Sequence, residues 1–256
     1  MPKNKKPLGI KNYGSIPHLP GSRLGPGDHS CSEGQAKIAT EKPRDRHDCI
    51  IVQEKLDGSN VGVALVNGVI HPITRAGYNA ATSPFEQHHY FADWVHRNAE
   101  RFHAVLKEGE RIVGEWLMQA HGTRYQLPHE PFVAFDLMTG INRTVHEEFI
   151  ERIKPGEFVS PKVIHNGAPL SIETAMSILG KEGFHGALDP VEGAVWRVER
   201  NRLINPGKGG DRHWVVDFLV KYIRPDKVDG CYLPEITGEK AYWNWLPPEK
   251  GKKVKD

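Results

Sequence analysis

The sequence predicts an α+β fold in which antiparallel strands are separated by helices. The first observation is Asn67-Gly68, the strongest two-residue hairpin signal, which lies between apolar runs at residues 60–66 and 69–74. The second is helical periodicity, which occurs only in segments that lie between strand-like runs. With 256 residues, the chain is long enough for one large domain or two small ones.

The first half of the chain is predicted to contain a lead-in, a strand, the hairpin and a long helix. Residues 1–48 are rich in Gly, Pro and charged residues and are predicted to be an extended lead-in that packs on the core. The apolar run from Cys49 to Val52 predicts the first strand. Residues 84–106 are predicted to be helical because six apolar residues recur at helical spacing. These residues are Phe91, Trp94, Val95, Phe102, Val105 and Leu106.

Three histidines lie on this predicted helix, but their spacing argues against a metal site. His89, His96 and His103 are seven residues apart, so neighbours in the series are about 10 Å apart at the helical rise. That distance is too large for one shared metal ion. We therefore predict a polar helix face.

Four further strands and two helices are predicted in the rest of the chain. A short helix is predicted near residues 145–153. A better-marked helix begins after Ser171, which is suited to an N-cap, and ends near Gly180 or Gly183. The strands are predicted at residues 111–118, 132–137, 193–198 and 214–223.

The composition indicates an ordinary globular protein. We expect its folded domain at residues 49–226, followed by a short C-terminal extension at residues 227–256. No apolar stretch is long enough to span a bilayer, and the N-terminus lacks a signal-peptide core, so we expect no membrane partner. Cys31, Cys49 and Cys231 are odd in number and widely spaced, which favours neither disulfides nor a cysteine zinc site. We therefore expect a cytoplasmic location. Because the net charge is only +2, any nucleic-acid surface must be a local patch.

Lys55 closes the first predicted strand and is followed by the turn residues Asp57 and Gly58. This position holds an amine at the edge of a sheet. Burial, a nearby metal or a second cation can lower the pKa of such an amine enough to make it a nucleophile. Taken alone, the Lys-x-Asp-Gly run is a weak signal, because a surface lysine before a turn explains it better.

Three further charged residues occur within or beside apolar strands. Glu115 and Lys221 interrupt two of the predicted strands, and Glu192 opens another. Because buried charges need partners or ligands, these residues and Lys55 predict a polar cleft on one sheet face. Two lysines and two glutamates are the side chains that a polyphosphate and a divalent cation would require.

The charged residues belong to six short motifs that follow one another along the chain. The motifs are Lys55-Leu56-Asp57-Gly58-Ser59-Asn60, Thr74-Arg75-Ala76-Gly77, Gly114-Glu115-Trp116, Phe132-Val133-Ala134-Phe135-Asp136-Leu137, Glu192-Gly193-Ala194-Val195 and Val220-Lys221-Tyr222. This ordered set resembles the covalent nucleotidyltransferases, the superfamily of ATP-dependent ligases and mRNA capping enzymes, and in particular ATP-dependent RNA ligases of the RNA ligase 2 type. The resemblance covers about residues 13–224 and implies an antiparallel-sheet nucleotidyltransferase (adenylation) domain with the ATP-grasp-like ligase core and no OB-fold domain.

The resemblance implies chemical roles for three of these residues. Lys55 would attack the α-phosphorus of ATP, release pyrophosphate and hold AMP as a phosphoramidate. Lys221 would contact the α-phosphate and help to lower the pKa of Lys55. Glu192 would bind the catalytic divalent metal, Mg²⁺ or Mn²⁺.

Five other residues would hold the nucleotide if the resemblance is followed. Asn60 would orient phosphate, Arg75 would lie near the ribose and the RNA end, and Glu115 would accept a hydrogen bond from the ribose. Phe135 would stack on adenine. Glu54 lies where family members touch adenine, often through the backbone. The residues themselves leave alternatives open, since Phe135 also fits a core position and Arg75 a surface ion pair.

The last motif departs from the family pattern. The family usually carries two lysines one residue apart, whereas Leu219 and Ile223 flank Lys221 here. One phosphate contact is therefore missing, or Arg224 or Lys227 supplies it. The segment after this motif is too short for the OB-fold domain of DNA ligases and capping enzymes.

The sequence thus predicts an enzyme that adenylates itself with ATP and a divalent metal and joins 5′-phosphate to 3′-hydroxyl ends. Its expected substrates are RNA ends or a nicked RNA-containing duplex. An ATP-dependent DNA ligase on the same core and a non-catalytic module that binds nucleic-acid ends remain alternatives, and a capping guanylyltransferase is disfavoured. Because binding to a polyanionic strand depends on cationic contacts, we expect a protein partner or a dimer to complete the strand clamp of this near-neutral chain.

Overall fold

Two antiparallel sheets form the framework of the protein, whose computed structural model describes residues 5–203 and 210–245. The four-stranded sheet contains β1 (Asp48–Lys55), β7 (Val163–Gly167), β8 (Gly193–Leu203) and β9 (Arg212–Ile223), in the order β7-β1-β8-β9. The five-stranded sheet contains β2 (Ser59–Val66), β3 (Val69–Thr74), β4 (Glu110–Trp116), β5 (Phe132–Thr139) and β6 (Asn142–Arg143), in the order β3-β2-β4-β5-β6. All the pairings between these strands are antiparallel.

The two sheets are joined by a very short connection. Only Leu56, Asp57 and Gly58 separate β1 from β2, so the chain passes from one sheet to the other within three residues. A Cβ atom at Gly58 would lie 2.6 Å from the backbone oxygen of Trp116. The close approach of this connection to the backbone of Trp116 therefore requires glycine. Lys55, the last residue of β1, is therefore placed at the junction between the sheets.

Helices pack against both sheets and form two hydrophobic cores. Phe91 and Phe102 pack with Phe132 of the five-stranded sheet. Leu179 packs with Trp196 of the four-stranded sheet. The α-helices are α1 (Glu33–Thr40), α2 (Glu86–Arg97), α3 (Ala99–His103), α4 (His146–Ile153), α5 (Ile172–Leu179) and α6 (Pro234–Thr237). Within residues 5–203 and 210–245, no helix is long and apolar enough to cross a bilayer.

The α+β prediction and the hairpin are confirmed. β2 and β3 pair in register from Val61 opposite Thr74 to Val66 opposite Val69. Both turn residues have positive φ, 52° at Asn67 and 71° at Gly68, as the turn type that matches the strand twist requires.

The predicted helix over residues 84–106 is interrupted. Asn98 separates α2 from α3 with φ −111° and ψ 21°, and its side-chain Nδ2 donates a hydrogen bond to the backbone oxygen of Trp94 at 2.8 Å. Asparagine side chains compete for backbone hydrogen bonds in this way and end helices. Among residues 5–203 and 210–245, no group of three or more His, Cys, Asp or Glu side chains is placed to hold a metal ion.

The N-terminal lead-in is not extended throughout, contrary to the prediction, because it contains α1. Ser32 caps this helix by accepting a hydrogen bond from the backbone of Gln35, and the Gln35 side chain accepts one from the backbone of Ser32 in return. This reciprocal capping pattern is visible in the sequence and identifies the helix. Before the helix, the backbone of Lys221 donates to Pro17 at 2.9 Å and accepts from Leu19 at 2.8 Å, so the lead-in extends the four-stranded sheet beyond β9.

Candidate active site

A cavity of about 800 Å³ lies where the two sheets meet. Strands from both sheets contribute to its walls, because β1 turns directly into β2 at this point. The cavity brings together all eight residues singled out from the sequence: Glu54, Lys55, Asn60, Arg75, Glu115, Phe135, Glu192 and Lys221. Residues from six separate motifs therefore border one site.

Lys55 forms a close ion pair with Glu192 in this cavity. The Lys55 Nζ lies 2.5 Å from the Glu192 Oε2, and the two side chains are 21% and 7% exposed. The pairing follows from strand register, since Lys55 of β1 lies opposite Gly193 of β8. Burial alone lowers the pKa of Lys55, but the carboxylates of Glu192 and Glu115 outweigh this effect and raise the pKa above its ordinary value. The lowering of this pKa by Lys221 or by a bound metal stays a prediction.

Glu115 faces the same turn as Lys55. Its Oε1 accepts a hydrogen bond from the backbone N–H of Gly58 at 3.1 Å, and it lies opposite Asn60 in the β2–β4 pairing. Burial raises the pKa of Glu115 to about 7. Glu115 therefore connects the Lys-x-Asp-Gly turn to the five-stranded sheet and keeps one carboxylate oxygen for other partners.

Lys221 enters the cavity from β9 and is paired with a residue that the sequence analysis did not identify. Its Nζ lies 3.6 Å from Asp28 Oδ1, and Asp28 Oδ2 lies 3.1 Å from the Nε2 of His18. Burial lowers the pKa of Lys221, and repulsion by Lys55 adds to this effect. No motif marks Asp28 or His18. Asp28 reaches the cavity, with His18 behind it, only because the lead-in pairs with β9.

Asn60 and Arg75 lie at the side of the cavity next to the lead-in. The Asn60 Oδ1 accepts a hydrogen bond from Asn12 at 3.4 Å, and the exposed Arg75 guanidinium donates to Ser15 at 3.3 Å. Within residues 5–203 and 210–245, Arg75 forms no ion pair, so the alternative of a surface ion pair finds no support there.

Phe135 is only half-buried, unlike the core residues that precede it on β5. Its ring contacts Tyr13 edge-to-face, with 5.2 Å between ring centroids and an interplanar angle of 73°. Val195 and Leu219 line the same cavity. This arrangement leaves part of an aromatic ring available to a ligand, which a plain core position would not do.

The Glu54 side chain lies outside this arrangement. Successive residues of a strand point to opposite faces, so Glu54 and Lys55 face different sides of the sheet. The Glu54 carboxylate is 2% exposed and accepts a hydrogen bond from the backbone N–H of Phe184 at 2.8 Å. Only the backbone of Glu54 is therefore positioned to meet a ligand in the cavity.

Arg224 and Lys227, the two candidates for the missing lysine, are both already paired. Arg224 lies 2.6 Å from Asp226. The buried Lys227 Nζ lies 3.1 Å from Asp57 Oδ2 and donates to the backbone oxygen of Gly122 at 2.7 Å. Lys227 therefore fixes the aspartate of the Lys-x-Asp-Gly turn, and neither residue lines the large cavity.

The comparisons with known proteins identify the family of the chain. The RNA ligase family model matches residues 48–223, so the chain belongs to the RNA ligase family. No curated protein sequence matches the chain significantly. The matched segment runs from the first residue of β1 to the last residue of β9, and it contains all eight candidate residues.

Similar solved structures are RNA ligases. A Naegleria gruberi RNA ligase mutant with ATP and Mn is 13% identical with a TM-score of 0.52, and the match covers 84% of this chain and 61% of that one. An apo mutant of the same ligase is 14% identical with a TM-score of 0.51, covering 88% and 61%. An archaeal ATP-dependent RNA ligase is 17% identical with a TM-score of 0.47, covering 82% and 48%. This chain thus spans less than two thirds of each of these relatives. The Naegleria similarities establish the shared fold.

Proposed function

We propose that this protein is an ATP-dependent RNA ligase that adenylates itself on Lys55. The observation that carries the proposal is the Lys55 amine at the end of β1, held in a cavity of about 800 Å³ with Glu192 and Lys221. A cavity of this size suits a nucleotide, since small-molecule sites usually occupy roughly 300–1,000 Å³. Membership of the RNA ligase family supports RNA as the substrate class, and the Naegleria relative with ATP and Mn supports ATP with a divalent metal.

Three transfers make up the proposed reaction. The Lys55 Nζ attacks the α-phosphorus of ATP, so that a P–N bond forms, the bond to the β-phosphate oxygen breaks, and pyrophosphate leaves as the amine loses a proton. An oxygen of the 5′-phosphate then attacks the same phosphorus and releases Lys55, giving an adenylated 5′ end. Finally the 3′-hydroxyl attacks the 5′-phosphorus, and AMP leaves. Each step is a nucleophilic substitution at phosphorus, for which positioning and charge neutralisation are the main catalytic tools.

Glu192 is the residue that would hold the divalent metal. The described residues contain no group of three or more metal-binding side chains, so the protein contributes few ligands. This donor set fits Mg²⁺ or Mn²⁺, because Mg²⁺ is usually bound by one or two carboxylates together with substrate phosphates and retains several waters. When bound, such an ion would neutralise charge on the phosphates. Glu192 also pairs with Lys55, and its negative charge favours the protonated amine. If the ion pair were weakened, this attraction would be smaller and the pKa of Lys55 would be lower.

The other residues would position the nucleotide. Lys221 would bind the α-phosphate oxygens in place of Asp28, which now faces it at 3.6 Å. Phe135 would stack on the base, and Glu115 would accept a hydrogen bond from a ribose hydroxyl. Arg75, exposed beside the cavity, would contact the ribose or the RNA end, as the family resemblance implies.

The adenylation proposal is tested by incubation with α-labelled ATP and Mg²⁺, followed by denaturing electrophoresis. The protein should acquire an acid-labile label, and Lys55→Ala should remove it completely. Lys154→Ala is the matched control, because Lys154 is exposed and pairs with Glu151 on the surface, and it should leave labelling unchanged. Label that persists in Lys55→Ala would sink the mechanism.

The substrate proposal needs a separate assay. Nicked duplexes with RNA or DNA on the 3′-hydroxyl side should be sealed faster when that strand is RNA. Equal or faster sealing of the DNA strand would favour the DNA ligase alternative, and labelling by GTP in place of ATP would favour a guanylyltransferase. Cationic contacts to phosphates supply most of the binding energy for a strand and are weakened by salt. Because the net charge is only +2, we expect overall ligation to be weak and salt-sensitive, and to be restored by a partner or a second copy that completes the strand clamp.

A further inference from the structure

Gln53 is a buried amide that faces the proposed nucleotide cavity. It is 5% exposed, lies on β1 two residues before Lys55, and lines the same cavity. Side chains two residues apart on a strand share a face and are separated by about 7 Å along it. Gln53 therefore lies on the Lys55 side of the sheet, whereas the side chain of Glu54 lies on the other.

The side-chain Nε2 of Gln53 has no hydrogen-bond partner among residues 5–203 and 210–245. Its neighbours are apolar and provide no hydrogen-bond acceptor from their side chains. Val195 lies opposite it on β8, and Leu219 and Phe135 line the same cavity. A buried amide donor without a partner costs about 1–3 kcal/mol. Such a group is retained most readily where a ligand supplies the missing acceptor.

We propose that Gln53 recognises the hydrogen-bonding edge of the adenine base, which rests on the proposed use of ATP. An amide presents a donor and an acceptor side by side, and adenine presents an acceptor ring nitrogen beside its donor 6-amino group. Guanine presents an acceptor oxygen at position 6, which would oppose the amide oxygen held in the same orientation. Gln53 is thus a specificity-determining residue that favours ATP over GTP and over purine nucleotides without the 6-amino group.

The test is the concentration of nucleotide that gives the half-maximal rate of lysyl-nucleotide formation, measured for ATP, GTP and purine riboside triphosphate. The native protein should prefer ATP by roughly ten- to a hundredfold, the discrimination expected of a bidentate amide contact. Gln53→Met keeps the size of the side chain but removes both polar groups. It should bring the three concentrations to within a fewfold of one another, mainly by weakening the use of ATP.

Asn166→Met is the matched control, because Asn166 is an exposed amide on the neighbouring strand β7 and does not line the cavity. It should preserve the native preference. Since the ratio between nucleotides is measured within one variant, a general loss of active protein does not change it. A ratio in Gln53→Met equal to that of the native protein would overturn this inference alone. Absence of any lysyl-nucleotide in the native protein would instead overturn the proposed function.

Discussion

Replacement of Glu54 by Gln tests what stabilises the face of β1 that points away from the cavity. Glu54 is 2% exposed, and one carboxylate oxygen accepts from Phe184 while the other has no partner among the described residues. Burial raises the pKa of Glu54 to about 7, and the single backbone hydrogen bond only partly opposes this effect. A glutamine side chain at this position would keep the shape of the protonated glutamate but could not ionise.

The sign and size of the effect follow from proton linkage. The unfolded chain releases the Glu54 proton near its ordinary pKa of 4.5, whereas the folded protein keeps it up to about pH 7. The folded state therefore binds the proton more tightly, and the stability that this provides is complete below pH 4.5 and is lost as the pH rises to about 7. A difference of about 2.5 in pKa corresponds to about 3 kcal/mol. Glu54→Gln should avoid this loss.

The assay is urea unfolding of the native protein and of Glu54→Gln at a series of pH values from about 4 to 8. The two free energies of unfolding should be similar at the acidic end. They should diverge through the interval from about 4.5 to 7 until the variant is the more stable by about 3 kcal/mol, and then run parallel. Glu182→Gln, which changes an exposed neighbour, should follow the native curve throughout. Parallel curves for Glu54→Gln over the whole range would show that the carboxylate is hydrated or paired in solution, and would refute the argument.

Three further predictions concern the site itself. Phe135→Ala should weaken ATP binding, measured by calorimetry, by roughly 1–3 kcal/mol, whereas Phe135→Tyr should bind ATP as the native protein does. Equal ATP affinities of the two variants would show that Phe135 is a core residue that does not stack on the base. Glu192→Gln should abolish metal-dependent labelling of Lys55, because no other described carboxylate contacts that amine; labelling at the native rate would exclude Glu192 as the metal ligand. Lys227→Met should cost about 3 kcal/mol in urea unfolding, because it leaves Asp57 without its buried cation, whereas Lys154→Met should cost almost nothing; similar costs for the two would show that the Lys227 pair is hydrated.

The sequence alone determined the features that depend on neighbouring residues. Asn67-Gly68 specified the hairpin because two positive φ values in succession are cheap only for such residues. Ser171 specified the start of α5, where its side chain accepts a hydrogen bond from the backbone of Thr174. The chemical candidates were also accessible, since charged residues within apolar runs need a reason to be there.

Only the tertiary structure decided how the candidate residues relate to one another. Strand register placed Glu192 against Lys55, and strand alternation turned Glu54 away from the cavity and Gln53 towards it. The pairing of the lead-in with β9 brought Asp28 to the cavity. The positions of these side chains depend on which strands pair and in what register. Some of the residues concerned are neighbours on one strand, and others are far apart in the chain. Local composition does not encode that information, because pairing is settled by the burial of whole faces at once.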